Sequence, residues 1–160
     1  MDKITLDNLK DEINSIKKQY PSFRDDSAFV FWFVNAYLVD QETLALDSLT
    51  GKEGGRGGEK NIDAIYVDDS EGACNIIQGK FHSSEVSEKR NEVLAFADLA
   101  QMPWKNKDSL ESFYSKLDPI ALQKFKKLVN CVKNKEYKLR LYYVTTGKCT
   151  ETIFSFNGGM

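Results

Sequence analysis

The chain has 160 residues and a mass of 18.2 kDa, enough for one domain that buries roughly 70% of the surface its unfolded chain exposes. With 41% hydrophobic and 29% charged residues a disordered chain is excluded; a net charge of −2 excludes a strongly basic nucleic-acid coat but not a local basic groove. Cys74, Cys131 and Cys149 form no CxxC and His82 is the only histidine, so a structural zinc site lacks ligands.

Leu6, Leu9, Ile13 and Ile16 recur at helical spacing and predict an amphipathic helix that stops at Tyr20-Pro21. Asp25-Asp26-Ser27 is an N-cap cluster before the apolar stretch Ala28 to Val39. Its first half could be a buried strand, but the length and the cap favour a buried helix. Half of the ten glycines fall between Gly51 and Gly58, which marks a flexible connection. Two strand-like runs follow, Asn61 to Val67 and Cys74 to Phe81, joined by turn chemistry over Asp68 to Ala73, and together they read as a β-hairpin.

A helix is predicted from about Val86 to Met102, ending before Pro103-Trp104, and a short one near Ser109 to Lys116. Pro119 opens a further helix with Ile120, Phe125, Leu128, Val129 and Val132 on its core side. Tyr137 to Thr145 alternates as a final strand. This order implies one α/β (α+β) domain over 1–160 with a small mixed sheet: N-terminal helices over 1–46, a glycine-rich loop over 47–60, then the hairpin, helices and last strand over 61–160.

The longest apolar run, Ala28 to Val34, is far shorter than the roughly 20 residues of a membrane span. Met1 to Leu6 has no secretory pattern, and with an odd cysteine count this points to reduced thiols and a cytoplasmic chain. There is no GxSxG elbow, and the glycine-rich stretch lacks the GK[ST] ending of a phosphate loop and precedes a strand instead of a helix.

The polar residues of the hairpin carry more information. Gln78 and Lys80 share a strand face. If Val67 pairs with Cys74, Asp63 lies opposite Gln78 at about 5 Å between Cβ atoms. A carboxylate and an amide oxygen are hard ligands for Mg²⁺ or Mn²⁺, and a lysine beside them can orient or deprotonate a water for phosphodiester hydrolysis. Gly79, with no side chain on the opposite face, would let a helix approach the strand. The plainer reading is a solvated strand end in which Asp63 accepts hydrogen bonds from the glycine-loop backbone.

Asn61-Ile-Asp-Ala-Ile-Tyr-Val-Asp68 followed by Asn75-Ile-Ile-Gln-Gly-Lys-Phe-His82 resembles the amino-terminal region of abortive-infection phage-resistance (AIPR) proteins, a nuclease fold of the PD-(D/E)xK type found in Mrr-like restriction enzymes. More loosely, the resemblance covers the whole chain. It implies a restriction-endonuclease-like mixed sheet and a Mg²⁺- or Mn²⁺-dependent nuclease domain of a bacterial antiphage system, acting on DNA or RNA. Asp63 then resembles the metal-binding aspartate, Gln78 stands in the acidic position of (D/E)xK, and Lys80 resembles the catalytic lysine. Such nucleases often take a further acid from an early helix, for which Asp40, Glu42, Asp47 and Glu59 are candidates. The family's glycine before the first strand is absent here, and a neutral glutamine binds metal less strongly than a carboxylate.

The resemblance also admits a catalytically silent module that binds nucleic acid, a protein partner or a second copy of itself. Family members are several times longer, so the resemblance admits either a fragment, with a DNA- or partner-reading region outside these residues, or a free-standing nuclease-like domain. Lys124, Lys127 and Lys133 lie on one helix and could steer a nucleic-acid backbone, or simply form a solvated face. His82 shares the face of Lys80 in an unbroken strand and could touch phosphate, but reads more simply as a surface histidine, and Trp32 and Trp104 read as packing residues in preference to base-stacking platforms.

Overall fold

The computed structural model describes residues 5–50, 62–84 and 86–147. Glu59, Cys149 and the glycine-rich stretch that sequence analysis singled out lie outside the described residues. Helix α1 (Leu6–Gln19) starts where Thr5 accepts the Asn8 N–H at 3.1 Å, and it buries Leu9 and Ile13. Helix α2 (Asp25–Phe33) runs into a π-helical turn over Val34–Leu38. The stretch after the Asp25-Asp26-Ser27 cluster is thus helical, as the cap predicts, although the helix begins within the cluster. Helix α3 (Glu42–Ser48), too short to show a clear period in the sequence, ends in a bridge between Leu49 and Ala64.

Strands β1 (Ala64–Asp68) and β2 (Ala73–Lys80) form the expected hairpin, with Val67 opposite Cys74 and Ala64 opposite Ile77. In the turn Asp68 accepts hydrogen bonds from the Ser70 and Glu71 amides, and Gly72 takes φ 62°, a conformation costly for any residue with a Cβ. Helix α4 spans only Arg90–Ala97, followed by short 3₁₀ turns at Asp98–Ala100 and Met102–Trp104. The predicted start at Val86 fails because Glu88 is turned inward to bind side chains of the sheet, and the chain is still extended at Lys89. Helices α5 (Lys107–Tyr114) and α6 (Pro119–Asn134) are capped by Asn106 and Asp118, and β3 (Lys138–Thr145) completes the fold.

The sheet is mixed, in the order β1-β2-β3: β2 is antiparallel to β1 and parallel to β3. This is the α+β architecture that the element order predicts. Alternation along the strands sends Ile65, Cys74, Ile76, Leu139 and Leu141 to one face, under Phe125 and Leu128 of α6. Ala64, Ile77, Tyr142 and Val144 face the other way, against α1 and α2. Gly79 lies on this second face. A Cβ there would collide with Val30 Cγ2 of α2, so the glycine sets how closely α2 packs on β2, as its position suggests. Among the described residues no helix is long and apolar enough to cross a membrane.

Candidate active site

Strand β2 runs on past the start of β1, and this mismatch creates the site. The regular ladder ends at Ala64–Ile77; Asp63 lies in a bend and its N–H donates to Ile77 O at 2.8 Å. Beyond that point the Gly79 and Phe81 amides have no strand partner on the β1 side, and a buried amide without one is costly. Two carboxylates take the place of the missing strand. Asp63 Oδ2 accepts the Gly79 N–H at 2.8 Å, and Asp26 Oδ1, from the first turn of α2, accepts the Phe81 N–H at 2.8 Å. Alternate amides on one edge are about 7 Å apart, so the two carboxylates lie side by side.

Their electrostatics follow. Burial pushes the Asp63 carboxyl up to about 6, the Gly79 amide opposes that shift, Asp26 adds to it by repulsion, and Lys80 opposes it by attraction. Among the described residues the partner of Asp63 is the β2 amide of Gly79, and the glycine-loop backbone named as an alternative lies outside them. Lys80, half-buried at the end of β2, supplies the positive charge. Gln78 is on the same strand face but is only 3% exposed. Hence Asp63, Lys80 and Gln78 are brought together, with Gln78 in the interior.

Asp26 is an acid at this strand end that the hairpin motif does not point to. Its signal was present in the Asp25-Asp26-Ser27 cluster, which reads first as a helix cap. The other candidates go elsewhere. Glu42 accepts hydrogen bonds from Tyr20 Oη at 2.6 Å and Gln19 Nε2 at 3.0 Å, which in turn raises the Tyr20 hydroxyl above its ordinary range. Asp47 lines a cleft of about 630 Å³ along the outer edge of β1, together with Asp68, Asp69, Lys124 and Lys127. Asp40 is exposed and exerts its charge on Tyr66.

The donors suit a hard divalent cation in kind, being two carboxylates and an amide oxygen. A cation between Asp63 and Asp26 would also relieve the repulsion that raises the Asp63 carboxyl. Among the described residues there is no group of three or more His, Cys, Asp or Glu side chains able to hold a metal ion. Among the described residues, then, a metal at this strand end would be held by this mixed set. Cys74 and Cys131 are buried free thiols, and burial pushes Cys74 up to about 12, which leaves it inert as a nucleophile.

The three lysines of α6 differ in surroundings. Lys124 is half-buried and donates to the carbonyls of Asp47 and, at 2.7 Å, Leu49, so it fastens the end of α3 to α6. Lys127 and Lys133 are exposed. Trp32 is half-buried and stacks on Phe29, while Trp104 is half-buried and donates from Nε1 to Leu99 O at 2.9 Å. His82 is more than a surface residue: its Nε2 lies 2.9 Å from Oε1 of the buried Glu88. Comparison with protein-family models, with curated proteins and with solved structures finds no match to this chain.

Proposed function

We propose that this chain is a metal-dependent nuclease domain that hydrolyses phosphodiester bonds in DNA or RNA, and, from the AIPR-like hairpin motif, that it serves bacterial antiphage defence. The observation that carries the reading is the convergence of Asp63, Asp26 and Lys80 where β1 falls short of β2. Asp63, Asp26 and the Gln78 amide oxygen would hold Mg²⁺ or Mn²⁺, which supplies positive charge against the phosphate and makes water a better nucleophile at neutral pH. Asp63 and Asp26 are already oriented, because each spends one oxygen on a strand amide and keeps the other for a ligand. Lys80 brings an ammonium group to the same strand end, where it orients the attacking water and offsets charge gathering on the phosphate oxygens.

The burial of Gln78 favours a second reading, a catalytically silent module of the same fold that binds nucleic acid or a protein partner. Cleavage assays on single- and double-stranded DNA and RNA, with Mg²⁺, Mn²⁺ or EDTA and with Lys80→Ala beside the wild type, separate the two. Metal-dependent cleavage that Lys80→Ala abolishes supports the nuclease. Absence of cleavage under every condition, with binding retained, leaves the silent module.

A further inference from the structure

We propose that His82, held by Glu88, is the group that takes the proton from the attacking water at this site; the inference rests on the nuclease reading. Glu88 is a buried carboxylate with three side-chain donors around it: His82 Nε2 at 2.9 Å, Tyr143 Oη at 3.1 Å and Thr145 Oγ1. Burial alone would raise its carboxyl, but the bonds from Thr145, His82 and Tyr143 outweigh that and hold it below its ordinary value. As a carboxylate Glu88 only accepts hydrogen bonds, so His82 donates to it from Nε2, and in the neutral imidazole that donation leaves the lone pair on Nδ1.

The register puts this pair beside the site. Tyr143 lies next to Gln78 and Thr145 next to Lys80 across the parallel β2–β3 ladder. Glu88 therefore sits over the sheet face that carries Gln78 and Lys80, with His82 two residues beyond Lys80. The main chain at His82 is fixed as well: its N–H donates to Thr146 Oγ1 at 2.7 Å, and its carbonyl accepts from the same hydroxyl at 3.2 Å. Gly147 closes against the pair, where a Cβ would lie 3.0 Å from Glu88 Oε1 and 3.1 Å from His82 Cδ2. Nonetheless the imidazole keeps 29% of its side-chain surface in solvent. A carboxylate buried to aim a half-exposed imidazole is the arrangement that serves proton transfer.

Lys80 offsets charge on the phosphate while His82 takes the proton, so the two residues divide the work. Water gives a proton to His82 Nδ1 as its oxygen bonds to phosphorus. The bond from phosphorus to the leaving oxygen breaks, the leaving oxygen takes a proton from solvent, and His82 returns its proton to solvent. Among the described residues the imidazole meets the Glu88 carboxylate from the segment before α4, and Tyr143 Oη of β3 reaches that same carboxylate.

The test uses the chain with Mn²⁺ and the nucleic acid that the wild type cleaves, comparing His82→Ala and His82→Gln. Both variants are expected to lose about 10²- to 10⁴-fold in rate. His82→Gln, which keeps a donor for Glu88, is expected to unfold at the wild-type temperature, and added imidazole is expected to restore cleavage to His82→Ala alone. Undiminished cleavage by His82→Gln, or a loss in His82→Ala that imidazole does not relieve, overturns the inference while the nuclease stands. A wild type that cleaves nothing overturns both.

Discussion

Asp63 Oδ2 accepts the Gly79 amide hydrogen at 2.8 Å, and so does for β2 what β1 would do if it began two residues earlier. The same bond fixes the carboxylate in a half-buried place beside Asp26, where ionisation is resisted. Its pKa of about 6, against an ordinary 3.8, means the folded chain holds this proton more tightly than the unfolded chain. The contribution of Asp63 to stability is therefore fully present below about pH 4 and is lost as pH rises through 6.

Asp63→Asn keeps an oxygen for the Gly79 amide and removes the charge. It is expected to raise unfolding stability at pH 7 by on the order of 1–3 kcal/mol, with the gain gone at pH 4. Urea unfolding at the two pH values checks this. A gain of equal size at both would show that the carboxylate is not held against its charge.

A divalent cation held between Asp63 and Asp26 binds the folded chain alone, so it must stabilise it. At a hundred times the dissociation constant the gain is about 2.7 kcal/mol, several degrees of unfolding temperature for a chain of this size. Mn²⁺ is expected to raise the midpoint of the wild type, and Asp63→Ala and Asp26→Ala each to erase the rise. Glu42→Ala, which removes an acid engaged with Tyr20 and Gln19, is expected to keep it. Loss of the rise in Glu42→Ala and not in Asp26→Ala would return the third acid to the sequence candidate.

The sequence made legible what depends on near neighbours. Helical spacing in α1 and α6, the hairpin register and the meaning of Gly79 all follow from residues a few positions apart. Asp26 escaped because its partner, Phe81, is 55 residues away, and because an aspartate at a helix start already has an explanation in the cap. Glu88 escaped for a similar reason: within an apparent helical run it reads as a solvated position, and only β3 supplies Tyr143 and Thr145 to draw it inward. The lysines of α6 share a helix in the sequence, but whether each meets solvent or a carbonyl depends on α3, which the periodicity did not mark.

Gly79→Ala tests how tightly α2 governs the site. The added methyl meets Val30, a stiff β-branched side chain that is itself fully buried and cannot swing aside. A loss of about 1–3 kcal/mol is expected. Combining Gly79→Ala with Val30→Ala should cost less than the sum of the two single changes, because the first fills space that the second opens. Simple additivity in thermal or urea unfolding would mean that α2 and β2 do not meet at this point.

Lys124 and Lys127 share one helix but serve different ends. Lys124→Ala leaves the carbonyls of Asp47 and Leu49 without their ammonium donor in a half-buried setting, and it is expected to cost about 1–3 kcal/mol of stability. Lys127→Ala removes an exposed side chain at the rim of the cleft along β1, so its effect on stability should lie within about 0.5 kcal/mol. Binding to nucleic acid is expected to show the reverse order. If Lys127 meets a phosphate, its removal lowers the salt dependence of binding by about one counterion, and Lys124→Ala leaves that slope unchanged. Measuring affinity across a salt series for both variants decides the matter, and a slope that falls only in Lys124→Ala would mean that its bonds to α3 give way when nucleic acid arrives.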